Sequence, residues 1–232
     1  VILITNALNQ NTSVTYDARS NVLSVTDANG NVNKSTYDHL NRLLTSMNGN
    51  NELTQYSYDG RGNVTSLNLP NGNAISMTYD KLNQLIQVSD NIGEFVSYTY
   101  DNIGNILSVK DANGNSTDFN YDALSRKTAV SDALGFSSSM SYDNNFNMSS
   151  LVDKSGKTHS YSYDALNRRT AYTSALNYTT GFSYDVAGNL TAVTDANGHS
   201  TSYIYDNLNR HNQITYADGT TNVLTFDANG NV

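Results

Sequence analysis

Eleven carboxylates stand at one fixed spacing in this chain, and ten of them follow a tyrosine. Tyr16-Asp17 returns as Tyr37-Asp38, Tyr58-Asp59, Tyr79-Asp80, Tyr100-Asp101, Tyr121-Asp122, Tyr142-Asp143, Tyr163-Asp164, Tyr184-Asp185 and Tyr205-Asp206. Phe226-Asp227 closes the series, and every step is 21 residues. Such residues could do three kinds of chemistry: acid/base catalysis by paired carboxylates, stacking of tyrosine rings on sugars, and calcium binding. A retaining acid/base pair needs carboxyl groups about 5 Å apart in one cleft. If each unit is two strands, equivalent aspartates recur only every ~10 Å. An identical row of eleven reads instead as a turn device. The tyrosines read as core, with their hydroxyls reaching polar neighbours. Fourteen of the seventeen fall in two columns, and one of those columns also holds Val14, Met77, Met140 and Leu224, which cannot stack on a sugar. Asp-Ala-Asn-Gly-Asn, at Asp27, Asp111 and Asp227, begins like a calcium loop but lacks the glutamate at its twelfth place. His39, His159, His199 and His211 share no register and read as solvated surface. No nucleophile elbow, dinucleotide fingerprint or phosphate loop is present. The expectation is no enzyme, no catalytic residue, no metal and no cofactor.

The elements that position these residues follow from the same register. Two residues before each Tyr or Phe stand Val14, Ser35, Tyr56, Met77, Tyr98, Phe119, Met140, Tyr161, Phe182, Tyr203 and Leu224, ten of them apolar or aromatic. The residue between is polar in ten of eleven units. That period-two alternation, rich in β-branched and aromatic residues, predicts a half-buried strand. After the pair comes a turn, either Asp-x-x-Gly-Asn (Asp59, Asp101, Asp185) or Asp-x-Leu-Asn-Arg (Asp38, Asp164, Asp206). The aspartate can accept backbone N–H groups there, and Gly or Asn tolerates a left-handed backbone. A second strand follows, such as Val22 to Thr26. Fourteen residues after the Tyr, a column of Gly30, Gly72, Gly93, Gly114, Gly135, Gly156, Gly198 and Gly219, with Asn51 and Asn177, predicts positive φ in a second hairpin turn. Leu40, Leu82, Leu124, Leu166 and Leu208 mark every other first turn, so the true repeat is 42 residues. Alternate hairpins are therefore expected to meet different neighbours.

The fold class is all-β: a continuous antiparallel meander of 21-residue hairpins, wound into a superhelical ribbon or tube. Strict spacing of this kind is what stacked identical units require. One repeat array is expected over residues 1–232.

A net charge of -8 with only 15% charged residues disfavours nucleic acid and anionic membrane as partners. No apolar run approaches the roughly 20 residues that span a bilayer. There is no cysteine, which excludes disulfides and thiolate metal sites.

Tyr-Asp, then x-x-Gly-Asn, then an apolar strand ending in Asp-x-x-Gly resembles the YD-repeat or RHS-repeat family over essentially the whole length. That family includes polymorphic toxin shells, wall-associated proteins and teneurins. The resemblance implies a long β ribbon wound into a shell or barrel. The C-terminal Arg-Tyr-Tyr-Asp-Pro type signature of the toxins is missing, the one proline being Pro70, so no catalytic aspartates are carried over. The function expected is a structural scaffold, either an extracellular filament or stalk or the wall of a toxin-type shell. An adhesin or glycan-binding surface is the alternative, with surface glycans as its partners. The array is expected to be a segment of a longer one, flanked by more repeats, or to assemble end to end through its terminal strands. An extracellular or cell-surface location in a bacterium or archaeon is expected.

Overall fold

The computed structural model describes residues 1–227 and 229–232, with the backbone but not the side chain of Glu94. The Asp-Ala-Asn-Gly-Asn copy at Asp227 is therefore described apart from its alanine, Ala228. Among the described residues there are twenty-two strands and no helix. Two compact units divide the chain, residues 1–117 and 118–232.

A 21-residue period builds a six-residue first strand that ends on the tyrosine and a five-residue second strand, Glu94–Tyr100 and Ile106–Asp111 being each one residue longer. Asn11–Tyr16 with Val22–Thr26 is the first full pair, and Ser200–Tyr205 with His211–Thr215 the last. Within each unit, strands adjacent in sequence pair antiparallel, Val14 facing Val25 in one unit and Tyr161 facing Tyr172 in the other. Strands that touch within a unit are neighbours in sequence, so neither unit adds a second layer of its own. Burial is correspondingly thin: Val14, 8% exposed, is the one buried apolar residue among those described.

First strands alternate as expected, with the Tyr column and the column two residues before it half-buried and the residue between exposed in strands such as Leu53–Tyr58. Second strands do not. Tyr16 lies opposite Val22 while Thr15 lies opposite Ser24, so Leu23 is an extra residue. The same slip recurs beside Tyr37, Tyr58, Tyr79, Tyr100, Tyr121, Tyr142, Tyr163, Tyr184 and Tyr205. A bulge of this type bends the strand, sharpens its twist and breaks the in–out alternation. Leu85–Ser89 and Leu190–Thr194 are accordingly half-buried along their whole length.

Both turns of the period share one geometry, a three-residue loop whose last residue is left-handed. Asp27 N–H donates to Asn31 O and Gly30 N–H to Asp27 O; Asp17 and Ser20 repeat the pair of bonds at the first turn. Gly30, Gly72, Gly114 and Gly198 have φ between +84° and +85°, and Asn51 and Asn177 also sit at positive φ. Gly93 departs from that expectation, since its φ is not in the left-handed range. Here the loop closes one residue early, Asp90 N–H donating to Gly93 O, and the ladder slips between Glu94 and Val96. The first turn is less selective than Gly and Asn alone, for Ser20, Ser125 and Phe146 occupy its left-handed position at φ 60° to 70°.

Candidate functional site: the Tyr-Asp lattice

The chemistry-bearing residues converge on the edge formed by the first turns. There each aspartate is occupied by its own loop. Oδ1 of Asp17 accepts the N–H groups of Arg19 (2.8 Å) and Asn21 (2.9 Å), and Oδ2 accepts the Asn21 amide (2.8 Å). Asp59 and Asp143 repeat the pattern, and Asp101 and Asp185 accept from the asparagine four residues on through both oxygens. In the other turn type an arginine replaces the asparagine. Arg42 Nε lies 2.7 Å from Asp38 Oδ2, and Asp122, Asp164 and Asp206 are paired in the same way with Arg126, Arg168 and Arg210. Asp80 accepts the N–H groups of Leu82 and Gln84.

Those bonds hold the carboxylates in their charged form. The Asn21, Asn63 and Asn189 amides keep Asp17, Asp59 and Asp185 below the ordinary aspartate value, helped by the backbone N–H groups of the turn. For Asp38 and Asp164 the backbone N–H of Arg42 and Arg168 is the leading cause, with the arginine side chains adding to it. A general acid needs the opposite shift. An open groove of about 790 Å³ runs past Asp59, Tyr79 and Asp80, and both of its aspartates accept backbone N–H groups of their own turns. Among the described residues no group of three or more His, Asp or Glu side chains could hold a metal ion.

The same residues staple one hairpin to the next, and the staples alternate. An asparagine-type turn reaches forward through an amide: Asn21 Nδ2 donates to Asn41 Oδ1 at 2.9 Å, and Asn63, Asn147 and Asn189 reach Asn83, Asn167 and Asn209 likewise. An arginine-type turn reaches forward through its guanidinium. Arg42 donates to Asp59 O at 3.1 Å and lies 4.5 Å above the Tyr58 ring. Arg126 and Arg168 reach Asp143 O and Asp185 O and cover Tyr142 and Tyr184. The asparagine staple needs the left-handed Asn of the other turn type as its acceptor, which gives the 42-residue period a physical cause.

Tyrosine hydroxyls add a second set of links. Tyr58 Oη donates to Leu43 O (2.7 Å), fifteen residues back and beyond the end of the backbone ladder between their strands. Tyr79, Tyr100, Tyr142, Tyr163, Tyr184 and Tyr205 do the same to Val64, Leu85, Lys127, Met148, Arg169 and Leu190. Burial raises the pKa of Tyr58, Tyr79, Tyr100 and Tyr205 above the ordinary phenol value. Tyr37 and Tyr121 lie half-buried in the same column, while Tyr16 is 40% exposed.

Sequence reasoning missed two features. Arg42, Arg126, Arg168 and Arg210 were visible only as turn residues, because their targets lie in the following hairpin. His159 departs from its solvated reading: its side chain is 23% exposed, and Nδ1 lies 2.8 Å from Tyr172 Oη with the two rings within 8° of parallel. Tyr161 stands beside them, 5.5 Å from Tyr172 between ring centres.

Known proteins place this lattice in a family. The family model described as Teneurin YD-shell matches residues 3–90 and 113–232, and that described as RHS Repeat matches residues 79–116. No curated protein matches the chain. Among solved structures, a crystal structure of TcdB2-TccC3-TEV is similar over 95% of this chain and 15% of its own, at TM-score 0.56 and 16% identity. The Photorhabdus luminescens Tc holotoxin pore matches over 89% of this chain and 13% of its own, at TM-score 0.56 and 16% identity. TcdB2-TccC3-Cdc42 matches over 99% and 19%, at TM-score 0.52 and 13% identity. At these identities the likeness is one of fold, and the chain spans less than a fifth of each. The chain belongs to the teneurin YD-shell family.

Proposed function

We propose that this chain is a stretch of load-carrying wall, a structural scaffold outside the cell whose eleven hairpin units form one array. The observation that carries this reading is the double use of the Tyr-Asp lattice. The side chains that could react are spent on closing a turn or on tying it to the next hairpin. A wall of a toxin-type shell is favoured over a filament or stalk by the family match and by the Tc chains of like fold. Its partners are flanking repeats, or another copy, pairing with the exposed apolar strand Ile2–Thr5. Electron microscopy of the purified chain tests this: curved sheet fragments or closed particles are expected. Straight, thin fibres would favour the filament, and isolated globular monomers would count against both.

A glycan-binding surface is the second reading. The flat His159–Tyr172 pair with Tyr161 beside it favours it. Retention on a glycan array that Tyr172→Ala abolishes would support it.

A further inference from the structure

Six Asn-Gly pairs occur in the chain, at Asn29, Asn48, Asn71, Asn113, Asn197 and Asn229. This dipeptide can react with itself, because a glycine after the asparagine leaves its backbone nitrogen unhindered. The glycine nitrogen attacks the asparagine Cγ, and the new N–C bond closes a succinimide ring. The Cγ–Nδ2 bond breaks, and ammonia leaves with the glycine proton. Water then opens the ring at either carbonyl and yields aspartate or isoaspartate.

All of these pairs except Asn48 share one place in the second turn. At Asn29, Asn113 and Asn197 the aspartate of the turn collects the free N–H groups. Asp27 Oδ1 accepts from Asn29 (2.8 Å) and Asn31 (2.9 Å), and Asp111 and Asp195 repeat the arrangement. Before Asn71, Leu69 stands in the aspartate's place. The loop closes as usual, Leu69 N–H donating to Asn73 O and Gly72 N–H to Leu69 O. With no carboxylate to take it, the Asn73 N–H donates to Oδ1 of Asn71 itself, at 3.1 Å. That oxygen gains negative charge as the ring closes, so a backbone donor already points at the developing oxyanion.

Asn48 also receives N–H groups on Oδ1, from Asn50 and Glu52. Its amide nitrogen, however, is held by the Glu52 carboxylate at 2.6 Å, and a Cβ on Gly49 would meet Asn31 Cβ at 2.8 Å. The backbone there is crowded. Around Gly72 nothing lies within 4 Å of the same place. Asn71 is exposed and lines an open hollow of about 400 Å³ with Glu52, Leu69 and Pro70, which gives water access. We infer that Asn71 is the self-modifying site of the folded chain, converting through a succinimide to aspartate and isoaspartate. The new carboxylate enters the hollow that Glu52 already lines, and isoaspartate adds a methylene to the loop backbone. The turn at 69–73 is therefore where the array gains charge and loosens with age. This goes beyond the scaffold reading and stands for a wall or a filament alike.

The full chain is incubated in mildly alkaline buffer and digested, and each Asn-Gly peptide is followed by mass spectrometry. Asn71 is expected to convert about five-fold faster than Asn29, Asn113 or Asn197, the worth of one neutral hydrogen bond to the closing ring, and faster than Asn48. In urea that unfolds the chain, these sites are expected to react at similar rates. Leu69→Asp restores the carboxylate and is expected to slow Asn71 to the rate of Asn113 while circular dichroism stays unchanged. Equal rates at Asn71 and Asn113 in the folded chain would overturn the inference. So would an Asn71 lead that persists undiminished in urea, or a folded Leu69→Asp chain in which Asn71 reacts as fast as before.

Discussion

The two edges of each unit use one turn and put it to different use. At the first-turn edge the aspartate closes its loop, and the residue that completes the loop, Asn21 or Arg42, also grips the next hairpin. At the second-turn edge, Asp27 with Asn31 and Asp111 with Asn115 close the loop through the same bonds, and these bonds stay within the turn. Lys154 to Asp132, at 2.6 Å, is a bridge between second turns, and it is exposed. Identical local chemistry thus gives a stapled edge and a looser one. The difference lies in what the fifth residue of the turn can reach, and it should show in the stability of variants.

The largest effect is expected from the backbone itself. Gly114 has open space around the place a Cβ would take, its nearest contact being Lys110 Cε at 3.7 Å, so the penalty there is conformational. Gly114→Val should cost about 1–3 kcal/mol by forcing a β-branched residue into φ +85°. Ser108→Val, on the polar face, loses only a hydroxyl bond to Thr99 at 2.7 Å and should stay within about 1 kcal/mol. Equal shifts in denaturant midpoint would show the turn account to be wrong.

Next in size is the contrast between edges. Arg168→Ala removes the guanidinium from Asp185 O and from the Tyr184 ring, a loss of about 1–2 kcal/mol. Lys157→Ala, at the matching place of a second turn, should change stability by less than about 0.5 kcal/mol. Similar losses at both would mean that the edges do not differ. Tyr142→Phe keeps the ring under Arg126 and removes only the bond to Lys127 O. It should cost about 1 kcal/mol in chemical unfolding.

These variants also separate what the sequence discloses from what it conceals. Strands, hairpin turns and the two columns of aromatics are legible because they depend on residues within one period. Gly30 and Asn51 announce a left-handed backbone by residue type alone. The bulge at Leu23 is not legible, since an extra residue in a second strand leaves the length of the period unchanged. The targets of Tyr58 and Arg42 lie fifteen and seventeen residues away, and only the stacked register brings them within reach. His159 looked like surface because its partner, Tyr172, interrupts a second-strand column (Val25, Leu67, Val88 and their equivalents) that is aliphatic apart from Ser46. At Gly93 the residue type suggested a left-handed backbone, and the turn there closes one residue early without it.

Acid should loosen both edges. Asp17, Asp38 and Asp164 at the first turns and Asp27 and Asp111 at the second have folded pKa values below the ordinary one. Their contribution is therefore present above the unfolded value, about pH 4, and is lost as pH falls through the lower folded value. The tyrosines act at the other end. The raised values of Tyr58, Tyr79, Tyr100 and Tyr205 give stability that is complete below about pH 10 and lost as pH rises further. A thermal midpoint that fell between pH 5 and 8 would contradict this assignment. Chelation should have the smallest effect. Asp27 and Asp111 are satisfied by their own loops, so EDTA should leave the midpoint unchanged, and a large drop would revive the calcium loop.

The stapled edge has one natural gap. Gln84 stands where Arg42, Arg126, Arg168 and Arg210 stand in the other leucine-type turns, and its buried Oε1 has no partner. An arginine there would face Asp80, the Asp101 carbonyl and the Tyr100 ring, the same three groups that Arg168 meets in its own setting. The most direct test of the lattice is the thermal midpoint of Gln84→Arg. The account predicts a gain of about 1 kcal/mol, or roughly 2–4 °C for a chain of this size. An unchanged or lowered midpoint would show that the arginine staples do not hold the hairpins together.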